Sequence, residues 1–232
     1  MYCSNLTTTN FPSCSYIGGY AFYFCSELTT ISFPNCSSIG GYAFYSCSKL
    51  ATISFPNCSY IEGYGFYNCS NLATASFPNC SYIGNYAFYS CSSLTTASFP
   101  NCSYIGTNAF CYCYSLATIS FPNCSYIGAN AFRSCSNLTT ASFPNCSYIG
   151  GYAFYYCCNL ISLYLMSTSI VSLSGSSAFS STPIGGYSVS AGQYGSIYVP
   201  ASLLTSYKTA LIWSYFSDRF VGVNNGDYYI TD

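Results

Sequence analysis

Cysteine is the abundant residue type in this sequence that could serve as nucleophile, metal ligand or cross-link, and it is placed with strict regularity. The chain has 17 cysteines and no histidine. Fifteen of the cysteines stand at intervals of 11, from Cys3 to Cys157, which leaves only Cys111 and Cys158 off the ladder. A catalytic thiolate needs a neighbouring base. With no histidine and only 5 acidic residues, neither a Ser–His–Asp triad nor a carboxylate pair can be drawn. Zinc needs convergent ligands, usually in C-x₂₋₄-C pairs. Cys111/Cys113 and Cys157/Cys158 are the only close pairs, and neither has that spacing. Phosphate-loop and dinucleotide glycine patterns are absent as well. The chain is therefore expected to have no catalytic residues, no metal and no cofactor.

The cysteine ladder belongs to a larger period. Leu6, Leu28, Leu50, Leu72, Leu94, Leu116, Leu138 and Leu160 recur at a step of 22, and seven complete repeats fill 6–159. Leu50, Ile53, Phe55 and Cys58 stand as L-x-x-L-x-L-x-x-C, the strand-and-turn signature of leucine-rich repeats. Along such a strand Ile53 and Phe55 point inward and Thr52 and Ser54 outward, and Pro56 ends it because proline has no N–H to donate. The rest of the repeat, Ile-Gly-x-x-Ala-Phe, returns the chain with Ile61 and Phe66 inward and one helical or 3₁₀ turn after the glycine. Wound this way, the cysteines fall into two columns, Cys14 to Cys146 and Cys3 to Cys157. Column neighbours lie within the Cα window of a disulfide but are directed in parallel. The simplest role left is that of a small buried hydrophobe. Cys111 and Cys158 are then the thiols expected to be exposed and reactive.

The unit resembles the BspA-type leucine-rich repeat of bacterial and some protozoan surface proteins, whose pattern is I-x-x-I-G-x-x-A-F-x-x-C-x-x-L. The resemblance covers about residues 3–160, and the tail is similar to a C-terminal segment of such proteins. It implies a right-handed parallel solenoid, a cell-surface or secreted location, and adhesion to host or bacterial partners. Phenylalanine at a strand position and a second cysteine per repeat depart from the pattern. The expected fold is an α/β repeat solenoid: a right-handed leucine-rich-repeat array with one parallel sheet, short return turns and a C-terminal helical cap. The solenoid is expected over 1–196, with a degenerate repeat at 160–196, and a strand-helix cap over 197–232. In the cap, Ile197 to Val199 reads as a strand. Leu203, Leu204, Tyr207, Leu211, Ile212 and Phe216 read as one amphipathic helix.

A repeat array without catalytic groups works through its surfaces, and three are candidates. The outward strand positions form two hydroxyl ladders, Thr30, Thr52, Thr74, Thr96, Thr118 and Thr140 beside Ser32, Ser54, Ser76, Ser98, Ser120 and Ser142. They are either a concave binding face or simply good strand formers bonded to one another. Tyrosine columns, such as Tyr60 to Tyr148 and Tyr42 to Tyr86, suit either glycan and protein contact or plain coverage of the convex side. Asn108, Cys111, Asn130 and Arg133 interrupt two columns and mark a local patch. Asn-Cys-Ser, repeated from Asn35 to Asn145, also matches the N-glycosylation acceptor pattern.

Composition narrows the partner. Charged residues make up 4% of the chain and the net charge is −1, which leaves no footprint for nucleic acid or anionic lipid. No apolar run reaches the roughly eighteen residues of a membrane span. No signal peptide precedes the first repeat, so the chain is intracellular, exported by another route, or a fragment. A protein or glycan ligand is the expected partner. The first coil, with Leu6, Phe11, Cys14, Ile17 and Phe22 uncovered on one side and an open strand edge, is expected to be covered by a missing N-terminal segment, by a preceding domain or by end-to-end self-association.

Overall fold

A computed structural model describes residues 5–187 and 194–224 of the 232-residue chain. Cys3, Asp227, Asp232 and the middle of the Ser/Gly-rich stretch at 180–196 lie outside the described residues. The rest winds as a solenoid in which strands pair parallel with their copies in neighbouring coils. Thr52 faces Thr74 and Tyr60 faces Tyr82, in strict 22-residue register.

Each coil contributes two strands, so the single sheet expected from sequence is corrected to two faces. Three-residue strands such as Thr52–Ser54 make the first face. Two-residue strands such as Tyr60–Ile61 make the second, an unbroken eight-stranded sheet running from Tyr16–Ile17 to Ser172–Leu173. The second face forms because the isoleucine turns inward and its neighbour outward, a strand's alternation in its shortest form.

The Asn-Cys-Ser triplet between the two strands is a bonding device. Asn57, Asn79, Asn101, Asn123 and Asn145 each donate Nδ2 to the proline carbonyl of the coil before, at 2.7–2.8 Å. The cysteine thiol donates to the carbonyl two residues on, as Cys80 does to Tyr82 at 3.3 Å. The serine hydroxyl donates one coil back, as Ser103 does to Ser81 at 3.0 Å. Carbonyls that a tight corner would leave unpaired are thereby satisfied.

The return segment is a turn rather than the helical or 3₁₀ turn expected; among the described residues a 3₁₀ turn at this place appears only in the degenerate repeat, Ser176–Phe179. Two non-glycine residues per coil are left-handed there, Tyr64 (φ 62°) and Asn68 (φ 56°) in the third coil. Such a residue costs roughly 1–2 kcal/mol. What offsets it is a third ladder between coils: Tyr64, Phe66 and Asn68 donate N–H to Asn85, Ala87 and Tyr89 at 2.7–2.9 Å. The repeat glycines serve this stacking and not a left-handed turn. A Cβ on Gly84, Gly128 or Gly150 would lie 2.6 Å from backbone of the preceding coil.

Inside, Phe55, Phe66, Leu50, Ile53, Ile61 and the column cysteines from Cys25 onward are buried, and their copies stack along the axis into one continuous core. The tail continues this architecture. Ser196–Pro200 pairs parallel with Ser162–Tyr164, and Phe220–Val223 pairs with Ser196–Pro200. The expected amphipathic helix is corrected to a short helix, Leu204–Thr209, and a 3₁₀ segment, Trp213–Arg219. Ala210 is extended and Ile212 left-handed, so the period breaks, and Leu211 is 88% exposed. Tyr207, Trp213 and Phe216 close the core instead.

Candidate functional site

The first strand face carries the two hydroxyl ladders, and its local geometry is uneven. Thr30, Ser32, Thr52, Ser54, Thr96, Ser98 and Thr118 are exposed; Thr74, Ser76, Ser120 and Thr140 are half-buried. Ser142 was expected to point out but is buried, beside Tyr164 in the next coil. The bulkier tyrosine, where other coils have serine, encloses it.

This face is broken twice. Strand pairing joins the first two coils, then the third to fifth, then the sixth onward. At the paired steps Phe11 N–H and Phe55 N–H donate to Ser32 and Ser76 carbonyls at 3.0 Å. No such bond runs from Phe33 to Ser54 or from Phe99 to Ser120. The buried phenylalanine column opens at the same two steps, with 6.1 Å between Phe33 and Phe55 and 5.9 Å between Phe99 and Phe121. Elsewhere the spacing is 5.1 Å at Phe77–Phe99 and 5.7 Å at Phe121–Phe143. A shallow groove lies over each break. The first, of 560 Å³, is lined by Thr30, Ile31, Phe33, Pro34, Thr52 and Ser54 among others. The second, of 450 Å³, is lined by Thr96, Ala97, Phe99, Pro100, Thr118 and Ser120 among others. Ile31 and Ala97, inward residues fully covered in other coils, are half-exposed here.

From Cys25 onward the column thiols are buried and closed to reagents. All the described cysteines are free, and all are buried except Cys14 and Cys158, which are half-buried. Desolvation pushes Cys58, Cys102 and Cys146 up to about 12, so the nucleophilic thiolate is not populated near neutral pH. Cys111, expected to be exposed, is buried, and burial raises its thiol to about 12 against the lowering effect of Arg133. Among the described residues no group of three or more His, Cys, Asp or Glu side chains could hold a metal.

A model of the BspA type leucine rich repeat region matches this chain in six copies, over residues 1–116 and 81–192. The chain belongs to that family. Among solved structures, this BspA-type chain is similar to a leucine rich cell surface protein of Faecalibacterium prausnitzii. Identity is 25%, over 72% of this chain and 56% of that one, with a TM-score of 0.56. The chain thus spans 56% of that relative's length. The pneumococcal vaccine antigen PcpA shares the fold, at 14% identity over 94% of this chain and 67% of that one, TM-score 0.50. The curated proteins hold no match. Among the described residues no helix is long and apolar enough to cross a membrane.

Elsewhere on this BspA-type array the tyrosines form stacks. Tyr60, Tyr82, Tyr104, Tyr126 and Tyr148 stack with ring centroids 4.4–4.9 Å apart. Tyr20, Tyr42, Tyr64 and Tyr86 stack at 4.5–4.8 Å on the return turn. Rings packed face to face at this spacing leave little room for a ligand between them. Asn108 and Asn130 interrupt the second column, at φ 57° and 55°. They occupy the left-handed slot held by tyrosine in other coils, a conformation asparagine adopts more readily. Arg133 lies 5.1 Å over the Tyr155 ring, and its Nε is buried without a partner. Asn108, Asn130 and Arg133 are half-buried, and with Cys111 enclosed the patch is smaller than the sequence pattern implied.

Proposed function

We propose that this chain is a non-catalytic recognition module of the cell surface, which holds a protein or glycan partner on its hydroxyl face. The observation that carries the reading is the face itself. Successive coils present threonine and serine in register, and no charged side chain lines either groove. Such a face has no general base and no electrostatic focus, but many neutral donors and acceptors held on rigid strands. The similar Faecalibacterium protein is described as a cell surface protein, which supports the location. The absence of histidine and the protonated, buried thiols support a role without catalysis.

The test is a binding screen of the full chain against purified extracellular-matrix proteins and a glycan array, repeated with a Thr74→Lys/Ser76→Lys variant and a Tyr42→Ser/Tyr64→Ser variant. Loss of about tenfold or more in affinity is expected from the first and little change from the second. The reverse pattern would move the site to the tyrosine side.

A second reading, self-association with no separate ligand, is favoured by the first coil alone. Phe11 is 49% exposed there, and it shares an apolar cleft of 150 Å³ with Ile17, Phe22 and Phe33. Sedimentation of the full chain that stays monomeric at high concentration would remove that reading.

A further inference from the structure

We propose that the two breaks in the hydroxyl face are paired subsites for one neutral, unbranched polysaccharide lying along the solenoid axis. The proposal rests on the hydroxyl face being the binding face, and names what it binds.

Each groove offers both halves of a contact to a sugar ring. Its floor is apolar, with Ile31, Phe33 and Pro34 in the first groove and Ala97, Phe99 and Pro100 in the second. Its walls are hydroxyls, Thr30, Thr52 and Ser54 in the first and Thr96, Thr118 and Ser120 in the second. Main-chain groups that bond to the next coil elsewhere, such as Phe33 N–H and the Ser54 carbonyl, do not pair there across the break. A pyranose ring has an apolar C–H face and a neutral hydroxyl rim, which match floor and walls. An anionic sugar would find no cation among the lining residues.

Dimensions decide against a peptide strand in the break. The gap widens the phenylalanine column to 6.1 Å, whereas a further strand would need about 4.8 Å more. The spacing of the grooves fits a chain of rings. They lie three coils apart, roughly 14 Å at a strand spacing of about 4.8 Å. A polysaccharide laid lengthwise, advancing by about one coil per ring, enters both grooves while crossing the paired strands Thr74–Ser76 and Thr96–Ser98.

Affinity electrophoresis of the full chain in gels holding a neutral β-glucan, mannan or xylan tests this, with heparin as the charged comparator. Three proteins are run: parent, Thr52→Lys/Thr118→Lys at the two groove walls, and Thr140→Lys on the paired strand beyond the second groove. Retardation of the parent by at least one neutral polymer, reduced about tenfold by the groove pair and by less than about threefold by Thr140→Lys, is expected. Retardation by heparin alone overturns the proposal. So does retardation lost equally in both variants, although the hydroxyl face would then stand as the binding face. No retardation by any polymer, with a matrix protein held on the hydroxyl face, also rejects the sugar and keeps the face. Binding unaffected by all three lysines rejects both.

Discussion

The Cys91 thiol lies 3.2 Å from the Phe66 carbonyl oxygen of the preceding coil and donates to it, with both residues fully buried. The same strut recurs at Cys69–Phe44, Cys113–Phe88, Cys135–Phe110 and Cys157–Phe132, at 3.0–3.2 Å. These cysteines therefore tie coil to coil without a disulfide. The Phe66 carbonyl also accepts from Cys69 N–H at 3.3 Å, so the thiol adds a second bond to an acceptor already paired.

It follows that Cys91→Ala should destabilise only modestly, by about 1 kcal/mol for the lost bond plus the cost of a small cavity. Cys91→Val restores volume but not the donor, so it should remain less stable than the parent. Urea unfolding of the full chain, comparing midpoints, checks this. A valine variant as stable as the parent would mean that the thiol acts by volume alone.

The columns also predict alkaline sensitivity. Burial raises Cys58, Cys102 and Cys146 from an ordinary value of 9.0 to about 12. Above pH 9 the unfolded chain releases these protons while the folded chain keeps them, so stability falls as pH rises. The contribution is complete below pH 9 and is lost as pH climbs through about 12. Each such thiol adds a slope of about 1.4 kcal/mol per pH unit within that window. Replacing Cys102 with alanine should make the fall between pH 9 and 11 shallower, read from urea midpoints at each pH. An unchanged slope would place the titration elsewhere.

The coil register, the inward residues and the outward hydroxyls were legible because stacking forces each side chain over its copy 22 residues on. Less visible were features shorter than a period or set by backbone angles. The Tyr60–Ile61 pair is too short to show strand alternation, so the second sheet left no pattern. Left-handed Tyr64 and Asn68 have no compositional mark, although Asn108 and Asn130 in the tyrosine slot hinted at it. The helix expected through Leu211 failed because Ile212 takes φ 72°, which sets Trp213 and not Leu211 on the core. The breaks did have a trace: both precede coils that read Leu-Ala-Thr-Ile-Ser, at Leu50 and Leu116. Nothing in a single sequence says that this variant opens a strand pair.

Close stacking predicts a contrast between two glycines of neighbouring turn positions. A Cβ at Gly128 would meet the Gly106 carbonyl carbon and Thr107 nitrogen at 2.6 Å, whereas at Gly151 it meets only the Ser174 hydroxyl at 3.7 Å. Backbone cannot yield as a side chain does, so Gly128→Ala should cost about 1–3 kcal/mol and Gly151→Ala much less. Thermal unfolding of the two variants side by side measures the difference. Equal melting temperatures would show that the stack accommodates a Cβ at Gly128, as it does at Glu62, which holds the same repeat position and keeps its N–H bond to the Ile39 carbonyl at 2.9 Å.

Besides its strand pairing, the tail is held at one buried residue, Val171. Val171 N–H donates to the Tyr207 hydroxyl at 3.0 Å, and its carbonyl accepts from Trp213 Nε1 at 2.6 Å, all of it buried. Tyr207→Phe leaves the Val171 N–H without that acceptor in a site water does not reach, a cost of about 1–3 kcal/mol. Because each coil of a solenoid touches only its neighbours, the loss should fall on the C-terminal end first. Trp213 is the sole tryptophan, so its fluorescence reports that end while far-UV circular dichroism reports the array. In the variant, the fluorescence midpoint in urea should move below the dichroism midpoint. If both move together by the same amount, the tail and the array unfold as one unit.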